Sequence, residues 1–164
     1  MGAEGEFALV REHLQKGLYL SGQPVKRGTM AHEHDVYALL ADIASRQRDV
    51  AGLRQYAPKV EELATRDNHK LYLAVAHRAW GVAHRLAGEY AEAEARFNLA
   101  LEMFQQLGTG WQMGRTLAEM GELARSRSKV DAAREYFSQA MAAFEGMKAM
   151  TDLEQTRLAL EAVG

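Results

Sequence analysis

The side chains best placed to do chemistry lie in MAHEHDVY, where His32 and His34 alternate with Glu33 and Asp35. Imidazoles beside carboxylates are the donor set of a metal site or of an acid–base pair. On a helix the spacing works against both, because residues two apart do not share a face. Acids in a first helical turn are accounted for by the helix dipole. His77 and His84, seven apart, do share a helix face, and their place in the pattern below turns them toward a partner helix as hydrogen-bonded packing residues. The string Gly108-Thr109-Gly110-Trp111-Gln112-Met113-Gly114 has the glycine density of a phosphate-cradling loop. Such a loop follows a strand and carries Gly-Lys-Ser/Thr; the segment before this one is an amphipathic helix pattern, so a turn is the simpler reading. Trp111 within it either folds onto the core, the favoured reading, or stands out as a contact residue. No Ser/His/Asp order and no paired-carboxylate setting stands out, so no catalytic residue, metal or cofactor is expected.

The elements that must position these residues are helices. The chain has 164 residues, enough for one domain with a sizeable core, and 48% of them are hydrophobic against 26% charged. With a net charge of −2, direct nucleic-acid binding is not expected. There is no cysteine, which excludes disulfides, thiolate zinc sites and cysteine nucleophiles and fits a cytoplasmic setting. No apolar run reaches the roughly 18 residues of a membrane span, and MGAEGEFALVREHL lacks the apolar stretch of a signal peptide. Only Pro24 and Pro58 could break helices.

The organising feature is a forty-residue period. Gly81 and Gly121 match with Ala41 ahead of them; Phe97 and Phe137 with Ala57; Ala93 and Ala133 with Leu53; Ala100 and Ala140 with Val60; Phe104 and Phe144 with Ala64. A fixed period of this size signals stacked helical hairpins. The stripe Leu73, Ala76, Trp80, Ala83, Ala87 predicts one helix, and Tyr90, Ala93, Phe97, Ala100, Leu101, Phe104 the next, with Gly88 and Gly108 as stops. The third pair repeats this with Leu117, Met120, Gly121, Ala124 and then Val130, Ala133, Phe137, Ala140, Met141, Phe144. Small residues let helix axes approach and large ones fill the remaining space. The first pair is weaker, and Pro58 is expected to kink or interrupt its second helix. The expected layout is a single domain over 1–164: an N-terminal helix within 5–20, a loop over 21–29, hairpins over 33–66, 68–107 and 111–147, and a covering helix over 151–162 opened by Thr151 and Glu154 in capping-box spacing.

Trp80-Gly81 followed by Gly88, Tyr90, Ala93, Phe97 and Ala100 resembles the tetratricopeptide repeat. Met120-Gly121, Ala133, Phe137 and Ala140 resemble it too, with Ser128 and Val130 where Gly and Tyr are usual, whereas Leu40-Ala41, Arg48, Val50 and Leu53 depart most. The forty-residue period is longer than usual and is similar to that of repeat domains in large bacterial transcription activators and repeat-bearing adenylate or guanylate cyclases. The resemblance implies an all-α, right-handed α-solenoid of about three hairpins with N- and C-terminal capping helices. It also implies that the first helix of each pair lines a concave surface, through Asp35, Ala38, Asp42 and Ser45, then Val75, Arg78, Val82 and Arg85, then Arg115, Ala118, Glu122 and Arg125. Partner contacts are expected at Arg78, Arg85, Arg115, Glu122, Arg125, Asp35 and Asp42.

Guanidinium pairs clamp carboxylate or phosphate, so the four Arg suggest an acidic partner segment. The plain alternative is a solvated face with local pairs such as Glu122 with Arg125. The expected function is a non-enzymatic protein- or peptide-interaction module in a bacterial regulatory protein. Two alternatives stay open: self-association with a second copy of the chain, and ligand sensing coupled to an effector domain.

Overall fold

The computed structural model describes residues 29–146 and 149–163, with side chains from Glu33 onward. The helix expected within 5–20, the loop expected over 21–29 apart from its last residue, and the side chain of His32 lie outside the described residues; that last residue, Thr29, is helical and not part of a loop. Among these there are seven helices and no strand: α1 Thr29–Arg46, α2 Val50–Arg66, α3 Lys70–Leu86, α4 Tyr90–Leu107, α5 Gly110–Ser126, α6 Val130–Gly146 and α7 Met150–Val163. The all-α repeat class expected from the sequence is the class observed.

The helices recur every twenty residues because the turns do. Arg48, Asn68, Gly88, Gly108 and Ser128 all take positive φ, between 50° and 79°. After each, the next residue's N–H reaches back to close the preceding helix: Asp49 to the Ala44 carbonyl, His69 to Ala64, Glu89 to His84, Thr109 to Phe104, Lys129 to Ala124. The same residue's carbonyl then accepts the first bond of the following helix, as with Asp49 and Leu53 N or Lys129 and Ala133 N. One left-handed residue thus ends one helix and starts another. Glycine does this without Cβ strain at 88 and 108; Arg48 and Ser128 do it against that strain.

The chain folds as two compact units, one ending at Ala83 and the other beginning at His84. In the first unit α1 packs on α2. Leu40, Ala41, Leu53, Ala57, Val60 and Ala64 are fully buried there, so the hairpin with the poorest repeat pattern is nonetheless complete. Pro58 lies inside a continuous α2 and is exposed. The helix is therefore not interrupted.

In the second unit α4 packs on α5, α5 on α6 and α6 on α7. The contact of α5 with α6 is set by two glycines. A Cβ on Gly121 would stand 2.6 Å from Cε1 of Phe137, and one on Gly114 would stand 2.7 Å from Cε1 of Phe144. Each phenyl ring occupies the space a side chain would need, so small and large residues meet directly rather than alternating along separate seams. Gly114, read from the sequence as part of a turn, is a packing residue one helical turn inside α5. Val130, placed in the apolar stripe of α6, is 44% exposed because it sits at the first residue of that helix.

The last helix begins at Met150, and Leu153 N bonds to the Ala149 carbonyl. Thr151 is therefore inside the first turn and does not cap it. The helix keeps the register of α5: Thr116 and Thr156, forty apart, are both buried and donate to the carbonyls of Gln112 and Asp152 at 2.8 and 2.6 Å. The positions that in α5 are Gly114, Leu117 and Gly121 are in α7 Glu154, Arg157 and Glu161. Arg157 donates to Glu154 at 3.0 Å through Nε and also pairs with Glu161. The stripe that receives phenyl rings in α5 is thus an ion-paired, solvated stripe in α7.

Candidate functional site

Each expected contact residue takes a distinct place. Among those in the first unit, Asp35 is exposed. Arg78, 4% exposed, lies with Nη2 4.0 Å from Asp42 Oδ1, and Asp42 also accepts from Arg46 Nε at 3.0 Å. Three further positions expected to face outward are buried: Ser45, which donates to the Ala41 carbonyl at 2.9 Å, Val75 and Val82. The sequence placed them as groove lining because the family pattern assigns that face to first helices; here these three positions are enclosed.

In the second unit Arg85 and Arg115 converge on Glu119, a residue outside the expected set. Arg85 Nη2 is 3.5 Å from Glu119 Oε2, and Arg115 Nη1 is 3.6 Å from Oε1. The three side chains are 7%, 7% and 10% exposed. Burial strengthens their mutual attraction, but it also removes the water that would otherwise satisfy the guanidinium donors. Arg85 Nε is buried and makes no hydrogen bond. Further along α5, Arg125 lies 3.8 Å from Glu122, and Arg125 is the more exposed of the two. That is the local i,i+3 pair expected from the spacing. The one sequence signal for Glu119 was its i,i+4 relation to Arg115; its contact with Arg85, thirty-four residues away, follows from helix packing alone.

Other residues singled out for chemistry have packing partners. His34 Nε2 lies 3.0 Å from Asp67 Oδ2 and 3.2 Å from the Leu63 carbonyl. Both are acceptors, so Nε2 carries the proton. The ring stacks on Tyr72 at 5.5 Å. Arg66 holds the Asp67 carboxyl below the usual carboxylate range by a direct hydrogen bond, with smaller help from the charges of His34 and His69. His84 Nδ1 is 3.1 Å from Glu89 Oε1. Trp111 is half-buried and donates from Nε1 to Asp152 Oδ2 at 2.9 Å, tying the start of α5 to the start of α7. It is neither a full plug nor a loose contact residue. Among the described residues no group of three His, Asp or Glu is arranged to hold a metal, and no helix is long and apolar enough to cross a membrane.

Residues 72–146 match the tetratricopeptide repeat family. No curated protein matches the chain. The fold is similar to the crystal structure of BtubC (BKLC) from P. vanneervenii, with a TM-score of 0.68 and 20% identity over 98% of this chain and 66% of that one. At that identity the likeness is one of fold, and this chain spans 66% of the other's length. Tetratricopeptide repeats generally mediate protein–protein interaction and are typically non-catalytic.

Proposed function

We propose that the chain is a non-enzymatic interaction module, part of a cytoplasmic bacterial regulatory protein, that holds an acidic segment of a protein partner. The observation that carries this reading is Arg85: a cation more than nine-tenths buried, with one carboxylate, at 3.5 Å, paired to it among the described residues and a buried Nε that makes no hydrogen bond. A buried charge with unused donors is costly, and an incoming carboxylate relieves that cost. Arg115 beside it adds positive potential, and Glu122 and Arg125 extend the contact surface along α5. In the first unit Arg78, Asp42 and Asp35 are the proposed partner contacts. The test is binding of a fluorescein-labelled hexaglutamate peptide to the wild type and to Arg85→Glu, with hexaglutamine as control. At least a tenfold loss in Arg85→Glu supports the reading, and equal binding of both peptides by both proteins sinks it.

Self-association is the second reading, favoured by Met150 and Leu158, which are 65% and 52% exposed on α7. Sedimentation at micromolar concentration decides it, and a monomer throughout removes it. The ligand-sensing alternative draws no support from the cleft lined by Met120, Leu123 and Tyr136, whose volume of about 80 Å³ falls below the roughly 300–1,000 Å³ of small-molecule pockets.

A further inference from the structure

We infer that Glu119 is a built-in competitor for the ligand carboxylate at Arg85, so that the site is held partly occupied by the protein itself. This rests on the reading of Arg85 as the anion-binding residue and concerns how that site is regulated.

Three observations carry it. The first is the geometry of the pair. A guanidinium grips a carboxylate best through two parallel N–H bonds of about 2.7–2.9 Å. Glu119 instead splits its oxygens, Oε2 to Arg85 and Oε1 to Arg115, at 3.5 and 3.6 Å. On the Nε–Nη2 edge of Arg85 it engages Nη2 alone and leaves Nε without a bond. A carboxylate that took both nitrogens of that edge would have to displace Oε2. The second is the position. Forty-residue shifts place Leu39, Ala79 and Ala159 at the equivalent sites. The repeat therefore accepts an apolar residue there, and packing does not demand a carboxylate. The third is burial. Glu119 is 10% exposed, so its charge is poorly screened by salt and acts at close range on any anion that approaches Arg85. Replacing Glu119 by glutamine keeps the shape and an acceptor oxygen for Arg115 while removing the repulsion.

The experiment measures hexaglutamate binding by fluorescence anisotropy with wild type, Glu119→Gln, Arg85→Gln and the double variant. Glu119→Gln is expected to bind about tenfold tighter than wild type, a change of about 1.4 kcal/mol. The gain should disappear when Arg85 is also glutamine, and hexaglutamine binding should not change. If Glu119→Gln binds no tighter while Arg85→Gln binds more weakly, the competitor is disproved and the acidic-ligand reading stands. If neither wild type nor Glu119→Gln binds hexaglutamate, both fall. Should Glu119→Gln be too unstable to assay, Glu119→Asp serves: its shorter side chain draws the carboxylate back from Arg85, and tighter binding than wild type is again expected, with unchanged binding counting against the inference.

Discussion

At the two positions where α5 admits phenyl rings from α6, α1 carries His34 and Ala41; where α6 supplies Phe144 and Phe137, α2 supplies Ala64 and Ala57. Both hairpins are built on the same twenty-residue phase and the same left-handed turns. The one in the second unit is joined by apolar rings seated on glycines. The one in the first unit exchanges glycine and phenylalanine for histidine and alanine, and the buried imidazole reaches the Leu63 carbonyl and Asp67 at the end of α2. The repeat therefore fixes where volume is needed, not its chemistry. A ring on either helix can fill the space, but a polar ring must also find acceptors.

The largest test of this difference is Phe137→Ala. It empties a fully buried ring site and should lower stability by about 3–5 kcal/mol in urea unfolding. A loss under about 1 kcal/mol, the range of an ordinary surface change, would mean that the ring is not the joint between α5 and α6. Gly121→Ala should cost about 1–3 kcal/mol by overpacking against Phe137, whereas α1 already carries alanine at the equivalent position 41. Pairing Gly121→Ala with Phe137→Leu should recover part of that loss, and strict additivity would argue against direct contact.

His34→Ala should cost about 1–3 kcal/mol, since it leaves the Leu63 carbonyl without its side-chain donor and removes a buried ring stacked on Tyr72. His34→Phe refills the volume without the donor, so a wild-type Tm for that variant would show the hydrogen bonds to be unimportant. At the turns, Ser128→Gly and Arg48→Gly should each raise stability by up to about 1 kcal/mol, the Cβ strain relieved being offset in part by glycine's entropy. Gly88→Ala should do the reverse.

The smallest effect concerns pH. Because Asp67 is held below its ordinary pKa in the folded state, chiefly by Arg66, its contribution is complete above the unfolded value of roughly 4. It is lost as pH falls through the folded value. The slope of Tm against pH in that range should flatten slightly in Arg66→Gln. No change in slope would show that the exposed Arg66–Asp67 contact is not maintained in solution.

Much of the architecture could be read in advance. The forty-residue matches located the helices, and Gly88 and Gly108 marked two of the turns. The repeat placed two others at Arg48 and Ser128, although neither residue type prefers positive φ; the hydrogen bonds closing each helix hold them there. Asn68 tolerates that conformation better than most residues, but a single asparagine is a weak mark without a glycine beside it. Gly114 was hidden for the opposite reason. Its neighbours Gly108 and Gly110 made the segment look like a loop, and its real partner, Phe144, lies thirty residues away. Four of the seven expected contact residues were read as outward-facing arginines. The burial of Arg78, Arg85 and Arg115, and the contact of Glu119 with Arg85, leave no local pattern in the sequence.

The sequence by itself determined an all-α repeat and its phase, because periodic apolar residues and turn chemistry act locally and leave a regular trace. The tertiary structure decided which small residue receives which ring, how the arginines are paired, and that Arg85 keeps a donor unused. Those outcomes rest on distances of a few ångströms between residues far apart in sequence, where a side chain's environment is set by packing and not by its neighbours along the chain.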